Sequence, residues 1–138
     1  MSVVLVDTGP LVALLDRSDS AHDWAVEVFK LMRPPLLTCE AVLAESWHLL
    51  GDSGPSRGAL AKLHEKGVIR VAFDFEREAA AIWRLLRKYA DVPMDYADAC
   101  IVRMAELHPR AELWTMDSDF RVYRRNGREA IALLSLGR

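Results

Sequence analysis

Short apolar runs alternate with amphipathic helical stretches along this chain, and the connections between them are short. The opening run Val3–Asp7 is β-branched and apolar, as in a central parallel strand covered on both faces. Thr8-Gly9-Pro10 then predicts a helix that begins at once, because a hydroxyl can cap it and proline suits its first turn. This alternation predicts a single α/β domain over residues 1–138, with a mostly parallel central sheet of about five strands flanked by helices.

The remaining elements follow the same alternation. Apolar spacing and turn signals predict further strands at 36–38, 68–73, 112–116 and 131–136. They predict helices at 11–16, 20–32, 40–50, 56–66, 76–89 and 96–107, and a short helical segment at 117–125. In doubly wound sheets, ligands bind beyond the carboxyl ends of the strands where strand order reverses. Polar residues that end apolar strands are therefore the first candidates for a functional site.

The charge balance excludes one way of binding nucleic acid. Lys and Arg number 18 against 20 Asp and Glu, for a net charge of −2, so the chain lacks the basic excess of proteins that bind polyanions by overall charge. No window approaches the roughly 18 unbroken apolar residues of a membrane span, and no basic leader opens the chain, so we expect a cytoplasmic protein without membrane association. Cys39 and Cys100 lack metal-ligand spacing and are expected to be reduced core residues.

Acidic residues occupy positions where a buried strand or helix would favour apolar ones. Two apolar strands end in an aspartate, Asp7 and Asp117, and Asp119 follows the second closely. If these strands are neighbours where strand order reverses, both carboxylates project into one cleft. Asp98 lies near the start of a predicted helix, and Glu45 lies among apolar residues of another.

Each of these acids also has a purely structural interpretation. Asp95 and Asp98 are three residues apart at a helix start, which suits an N-cap and N3 pair. Glu45 could lie on a solvent-exposed face, because either stripe of its helix satisfies the apolar periodicity. Asp7 and Asp117 could cap the helices that follow them. Singly, each position leaves both interpretations open, and together the four acids favour a site.

The order and flanks of these acids resemble those of PIN-domain proteins, the superfamily that includes the VapC-type toxin ribonucleases. The resemblance extends from Val3 to the last predicted strand. The matching segments are Asp7-Thr8 after VVLV, Glu45 in VLAES, Asp98-Ala99 in ADACIVRMAE, and Thr115-Met116-Asp117-Ser118-Asp119-Phe120.

The resemblance implies a metal-dependent endoribonuclease that uses Mg²⁺ or Mn²⁺. Carried over by position, the catalytic acids would be Asp7, Glu45, Asp98 and Asp117. The metal ligands would be Asp7, Asp98, Asp117 and Asp119, supported by the hydroxyls of Thr8 and Thr115. The chemistry agrees, because clustered carboxylates repel one another unless a hard divalent cation neutralises them, and such a cation stabilises charge on a phosphodiester under attack.

The same resemblance implies partners. It suggests a homodimer and, if the protein is the toxin of a type II toxin–antitoxin pair, an antitoxin that blocks the acidic cleft, often with an arginine. RNA binding would have to be local. Arg121, Arg124 and Arg125 follow Asp117, with Tyr123 among them, so they could bind phosphates and stack a base. The alternative is a solvated surface helix.

Two other functions stay open on the sequence. DTGPL resembles the strand-ending nucleophilic aspartate of haloacid dehalogenase-type phosphatases, but that family expects a second aspartate two residues later, where this chain has Gly9. The other alternative is a catalytically silent PIN-like module that acts by binding RNA or protein. Intact acids at all four positions count against it.

Overall fold

Four short strands form one parallel sheet at the centre of the fold. A computed structural model describes residues 3–52 and 54–134. In chain order the strands are β1 (Val4–Val6), β2 (Leu36–Thr38), β3 (Ile69–Val71) and β4 (Glu112–Trp114). Their spatial order is β3-β2-β1-β4, with all pairs parallel. The chain therefore moves outward from β1 and returns on its other side, so strand order reverses between β1 and β4.

Helices cover both faces of this sheet. Those in the described ranges are α1 (Thr8–Leu15), α2 (His22–Lys30), α3 (Glu40–Leu49), α4 (Gly54–Glu65), α5 (Phe75–Lys88) and α6 (Tyr96–Leu107). The α/β class is confirmed, and most helix ends lie within one or two residues of their predicted positions. No helix in the described ranges is long and apolar enough to cross a membrane.

Burial of β1 and α6 gives the site a rigid base. All three residues of β1 are at most 6% exposed, as a parallel strand between two helical layers requires. Seven of the twelve residues of α6 are buried, on most sides of the helix. Because close-packed interiors have low compressibility, the first turn of α6 has a well-defined position relative to the end of β1.

The C-terminal part differs from the prediction. Within 117–125, only Ser118–Arg121 is helical, as a 3₁₀ turn. Arg124–Arg125 instead forms β5, which pairs antiparallel with β6 (Glu129–Ala130) outside the central sheet. The reason lies in the loop that follows, where Asn126 and Gly127 have positive φ values of 51° and 81°, a conformation that favours a hairpin over a helix.

The last predicted strand is also largely replaced by irregular structure. Over 131–134 the chain makes a single parallel bridge between Leu113 and Leu133, supported by backbone hydrogen bonds in both directions. The predicted residues 135 and 136 lie outside the described residues. The central sheet thus has four strands, close to the five expected.

Candidate active site

A pocket of about 470 Å³ lies at the carboxyl ends of β1 and β4, where strand order reverses. Its lining comes from four separate parts of the chain. The lining residues are Asp7, Thr8, Gly9, Glu45, Leu49, Asp95, Asp98, Met116, Asp117 and Ser118. The structure thus brings together the four acids that the sequence singled out as catalytic.

Asp7 lies at the end of β1 and is 7% exposed. Its backbone N–H donates to the Trp114 carbonyl at 3.0 Å, which ties it to β4. The Thr115 hydroxyl donates to Asp7 Oδ2 at 2.8 Å, and Thr115 Oγ1 accepts from the Asp117 N–H at 3.0 Å. Thr115 therefore links two of the acids. The Asp7 side chain makes no capping hydrogen bond to α1, so capping does not account for it.

The electrostatics of Asp7 reflect its burial and its neighbours. Burial raises the pKa of Asp7 above its ordinary 3.8. Hydrogen bonds from the Thr8 backbone and the Thr115 hydroxyl lower this pKa in part. The negative charges of Glu45 and Asp117 raise it further. The pocket therefore concentrates negative charge that water does not fully screen.

Asp98 has both a structural role and a place in the pocket. Its N–H donates to Asp95 Oδ1 at 2.8 Å, and the Asp95 N–H donates to Asp98 Oδ2 at 3.2 Å, so the two form a capping box at the start of α6. The N-cap and N3 interpretation is correct. It does not exclude a site, because both carboxylates also line the pocket. Sequence reasoning missed Asp95 as a lining residue, although its spacing from Asp98 was the available signal.

Burial raises the pKa of Asp98 to about 7. The hydrogen bond from the Asp95 N–H lowers the pKa in part. The negative charges of three neighbouring acids raise it further, and these acids are Asp95, Asp7 and Asp117. Burial therefore raises the pKa of two acids from distant parts of the chain, so ionisation costs more free energy at both positions than it does in water. A bound cation would offset that cost, because it favours the ionised carboxylates.

Glu45, Asp117 and Asp119 differ in their placement. Glu45 is half-buried on α3 and lines the pocket, so it does not lie on a purely solvent-exposed face. Asp117 is exposed and caps the 3₁₀ turn, accepting from the Asp119 N–H at 2.9 Å. Asp119 itself does not line the pocket. Three of the four predicted metal ligands are therefore at the pocket.

The donors fit a hard divalent cation in type. Carboxylate oxygens are the ligands that Mg²⁺ and Mn²⁺ prefer. Thr8 Oγ1 is buried at the pocket and has no hydrogen-bond partner among residues 3–52 and 54–134, an orphaned hydroxyl that a ligand there would satisfy. Across the same ranges, no three acidic, histidine or cysteine side chains are arranged to hold one ion.

Two of the three predicted RNA-binding arginines donate hydrogen bonds to groups within the protein. Arg124 Nη1 donates to three carbonyls of residues 121–123, at 2.6 to 3.3 Å. Arg125 donates to the carbonyls of Ala105 and Pro109 and forms an ion pair with Glu129. These contacts direct both guanidinium groups toward the end of the 3₁₀ turn and the β5–β6 ribbon. A role of Arg124 and Arg125 in RNA binding stays a prediction.

Arg121 and Tyr123 have different surroundings. Arg121 is exposed and lines a second pocket that shares Met116, Asp117 and Ser118 with the acidic one. Tyr123 is 0% exposed, so the prediction that it stacks a base is wrong. Burial and the charge of Asp98 hold the pKa of Tyr123 above its ordinary 10, and its hydroxyl remains protonated.

Comparisons with known proteins agree with this architecture. A family model described as PIN domain matches residues 4–126. Among solved structures, the crystal structure of Mycobacterium tuberculosis VapC20, described as a sarcin–ricin loop cleaving toxin, superposes with a TM-score of 0.76. The two chains are 22% identical, and the match covers 86% of this chain and 93% of that one. At this identity the similarity establishes the fold. No curated protein matches the chain.

Proposed function

Since this chain belongs to the PIN-domain family, we propose that it is a metal-dependent endoribonuclease that hydrolyses RNA phosphodiester bonds. The observation that carries the proposal is the convergence of Asp7, Glu45, Asp98 and Asp117 in one pocket at the switch point of the sheet. These acids come from four different elements or loops. Helix capping gives Asp98 and Asp117 a local role, and it accounts for neither Asp7 nor Glu45.

Asp7, Asp98 and Asp117 would hold Mg²⁺ or Mn²⁺. Once bound, the ion would stabilise negative charge on the reacting phosphate and lower the pKa of a water molecule. Asp119 stays a prediction as a ligand, because its side chain does not line the pocket.

The surrounding residues orient these acids and the substrate. Thr115 holds Asp7 Oδ2 and the backbone of Asp117 at once, which fixes their relative position. The Thr8 hydroxyl has no partner among the described residues, and in our proposal it would donate to a phosphate oxygen or a water. Glu45 approaches from α3, on a different element from the other three acids. In that position it would orient the attacking water or accept its proton.

RNA would be held next to the acidic pocket rather than by overall charge. Of the three candidate arginines, Arg121 has an exposed side chain beside Asp117, so it is our candidate for a phosphate contact. We also propose that the protein is the toxin of a type II toxin–antitoxin pair, a cytoplasmic homodimer with a cognate antitoxin. The similarity in fold to a VapC20 toxin supports that role.

A catalytically silent binding module is the second candidate. It is favoured by one observation, that no three acids in residues 3–52 and 54–134 are already arranged to hold an ion. The haloacid dehalogenase-type alternative loses its support, since the chain belongs to the PIN-domain family and has Gly9 where that chemistry expects an aspartate.

Cleavage of RNA with Mn²⁺ and with EDTA, by the parent protein and by Asp98→Asn, tests the proposal. We expect the substitution to reduce cleavage by about 100-fold or more while the protein stays folded. Asp74→Asn is the matched control, because Asp74 also caps a helix start but precedes α5 and lies outside the acidic pocket. Equal cleavage by Asp98→Asn and the parent would contradict the assignment of Asp98 as a catalytic acid and metal ligand. A parent that binds RNA and never cuts it would favour the binding module.

A further inference from the structure

A buried tyrosine reaches the acidic pocket from the protein interior. The single proton of the Tyr123 hydroxyl is shared between two acceptors, with the shorter contact to the Pro93 carbonyl at 2.7 Å and the longer one to Asp98 Oδ2 at 3.3 Å. Pro93 belongs to the turn that precedes α6, and Asp98 belongs to the first turn of α6. One hydroxyl therefore contacts the start of this helix at two points.

Tight packing fixes the position of that hydroxyl. The Tyr123 ring meets Tyr89 and Phe120 edge to face, with both centroid distances at 5.3 Å, the arrangement that aromatic pairs prefer. Phe120 and Tyr123 are both 0% exposed. The Tyr123 N–H also donates to the Asp119 carbonyl at 3.2 Å. The ring has no room to turn away from Asp98.

These contacts leave the two oxygens of Asp98 in different situations. Oδ2 receives the Tyr123 hydroxyl and the Asp95 N–H. Oδ1 has no hydrogen-bond partner in the described part of the chain, although Asp98 lines the pocket. A carboxylate held by one oxygen cannot rotate freely, so the other oxygen keeps a constant direction.

We propose that Tyr123 is a positioning residue for the reaction proposed above: its buried hydroxyl holds Asp98 so that Oδ1 is free to bind a divalent cation. The inference rests on the proposed function. Tyr123 also joins two acid-bearing segments, because its backbone is bonded to Asp119 beside Asp117 while its side chain is bonded to Asp98. Loss of the hydroxyl loosens both the orientation of Asp98 and its distance from Asp117.

Tyr123→Phe tests this role, because it removes the hydroxyl and keeps the ring. Tyr89→Phe is a matched control. The Tyr89 hydroxyl accepts from the Arg124 N–H at 2.9 Å, and its ring packs against Tyr123. Among the described residues, the Tyr89 hydroxyl makes no hydrogen bond with a carboxylate. Each variant thus loses one buried hydroxyl from the same aromatic cluster. Thermal melting of both full-length variants checks that they remain folded with similar losses of stability.

The decisive measurement is Mn²⁺ affinity, from calorimetric titration of the metal-free protein. We expect Tyr123→Phe to raise the Kd for Mn²⁺ by about 10-fold or more, and Tyr89→Phe to leave it within about twofold of the parent. In RNA cleavage, Tyr123→Phe should need correspondingly more Mn²⁺ for half-maximal rate. Excess Mn²⁺ should restore most of that rate, which a general loss of folding would not allow.

Each other outcome has a distinct meaning. An unchanged Mn²⁺ Kd in Tyr123→Phe overturns the positioning role and leaves the nuclease proposal standing. Equal weakening by Tyr89→Phe also overturns it, because packing alone would then explain the loss. If the parent binds Mn²⁺ and cuts no RNA, the nuclease proposal fails. The ratio of the Mn²⁺ Kd of Tyr123→Phe to that of Tyr89→Phe still decides the role of Tyr123. A parent that binds no Mn²⁺ overturns the positioning role.

Discussion

Replacing Asp98 by asparagine should stabilise the metal-free protein above neutral pH. Burial raises the pKa of this carboxyl to about 7, against an ordinary value of 3.8, and nearby acidic charges contribute. The folded protein therefore holds the Asp98 proton more tightly than the unfolded chain does. Asparagine keeps the capping geometry, since its Oδ1 can accept from the Asp95 N–H in place of Asp98 Oδ2. Loss of the negative charge is then the main change.

The sign and size of the effect follow from the two pKa values. Well below pH 3.8, Asp98 is protonated in both the folded and the unfolded protein, so its ionisation does not affect the free energy of unfolding. As pH rises, the unfolded chain ionises first, so stability falls until the full penalty is present above a pH of about 7. The difference between the two values corresponds to about 4 kcal/mol. Because Asp98 keeps contact with solvent, screening reduces the penalty to about 2 kcal/mol.

Denaturant unfolding in EDTA measures this effect. We expect Asp98→Asn to exceed the parent by about 2 kcal/mol at pH 8 and by less than half of that at pH 5. Adding Mg²⁺ at pH 8 should stabilise the parent more than the variant, because the cation binds the ionised form. Asp74→Asn, at a helix start outside the pocket, is the matched control, and a gain there equal to that of Asp98→Asn would attribute the effect to helix capping. A gain that is equal at pH 5 and pH 8, or absent at both, would refute the argument.

The remaining predictions concern residues around the acids. Thr115→Val removes the hydroxyl that links Asp7 to the backbone of Asp117. The rate of Mn²⁺-dependent cleavage should fall by about 10- to 100-fold. Thr115→Ser keeps a hydroxyl and should recover most of that rate in the same kinetic assay. Arg121→Ala should weaken RNA binding and reduce its salt dependence, as measured by titration at several salt concentrations. Arg124→Ala should instead lower the melting temperature and leave RNA affinity nearly unchanged, because its guanidinium is bonded to backbone carbonyls. The reverse pattern for the two arginines would contradict our assignment of the phosphate contact.

Features that depend on local pattern could be predicted. The bounds of α6 agree with the predicted 96–107, because Asp95 and Asp98 form a capping signal that neighbouring residues complete. The meeting of Asp7 and Asp117 could also be anticipated. Both end apolar strands, and the carboxyl ends of parallel strands share one edge of a sheet; the pairing of β1 with β4 then places them together.

The C-terminal region shows where local pattern is insufficient. Residues 117–125 contain spacing compatible with a helix, but the hairpin that follows Arg125 pairs Arg124–Arg125 with Glu129–Ala130 instead. Asn126-Gly127 was a sequence signal for that hairpin. The contacts of the Arg125 side chain had no such signal, because the carbonyls that accept from it lie 16 and 20 residues earlier in the chain.

The sequence alone located the acids at the ends of the buried strands and at the start of α6. Helix caps and strand ends depend on a few adjacent residues, so local pattern is sufficient to identify them. Tertiary structure alone decided that Thr115 connects Asp7 to Asp117, which oxygen of Asp98 is engaged, and that Tyr123, 25 residues away, engages it. Contacts of this kind depend on how side chains from distant elements pack against one another, and no local pattern records that packing.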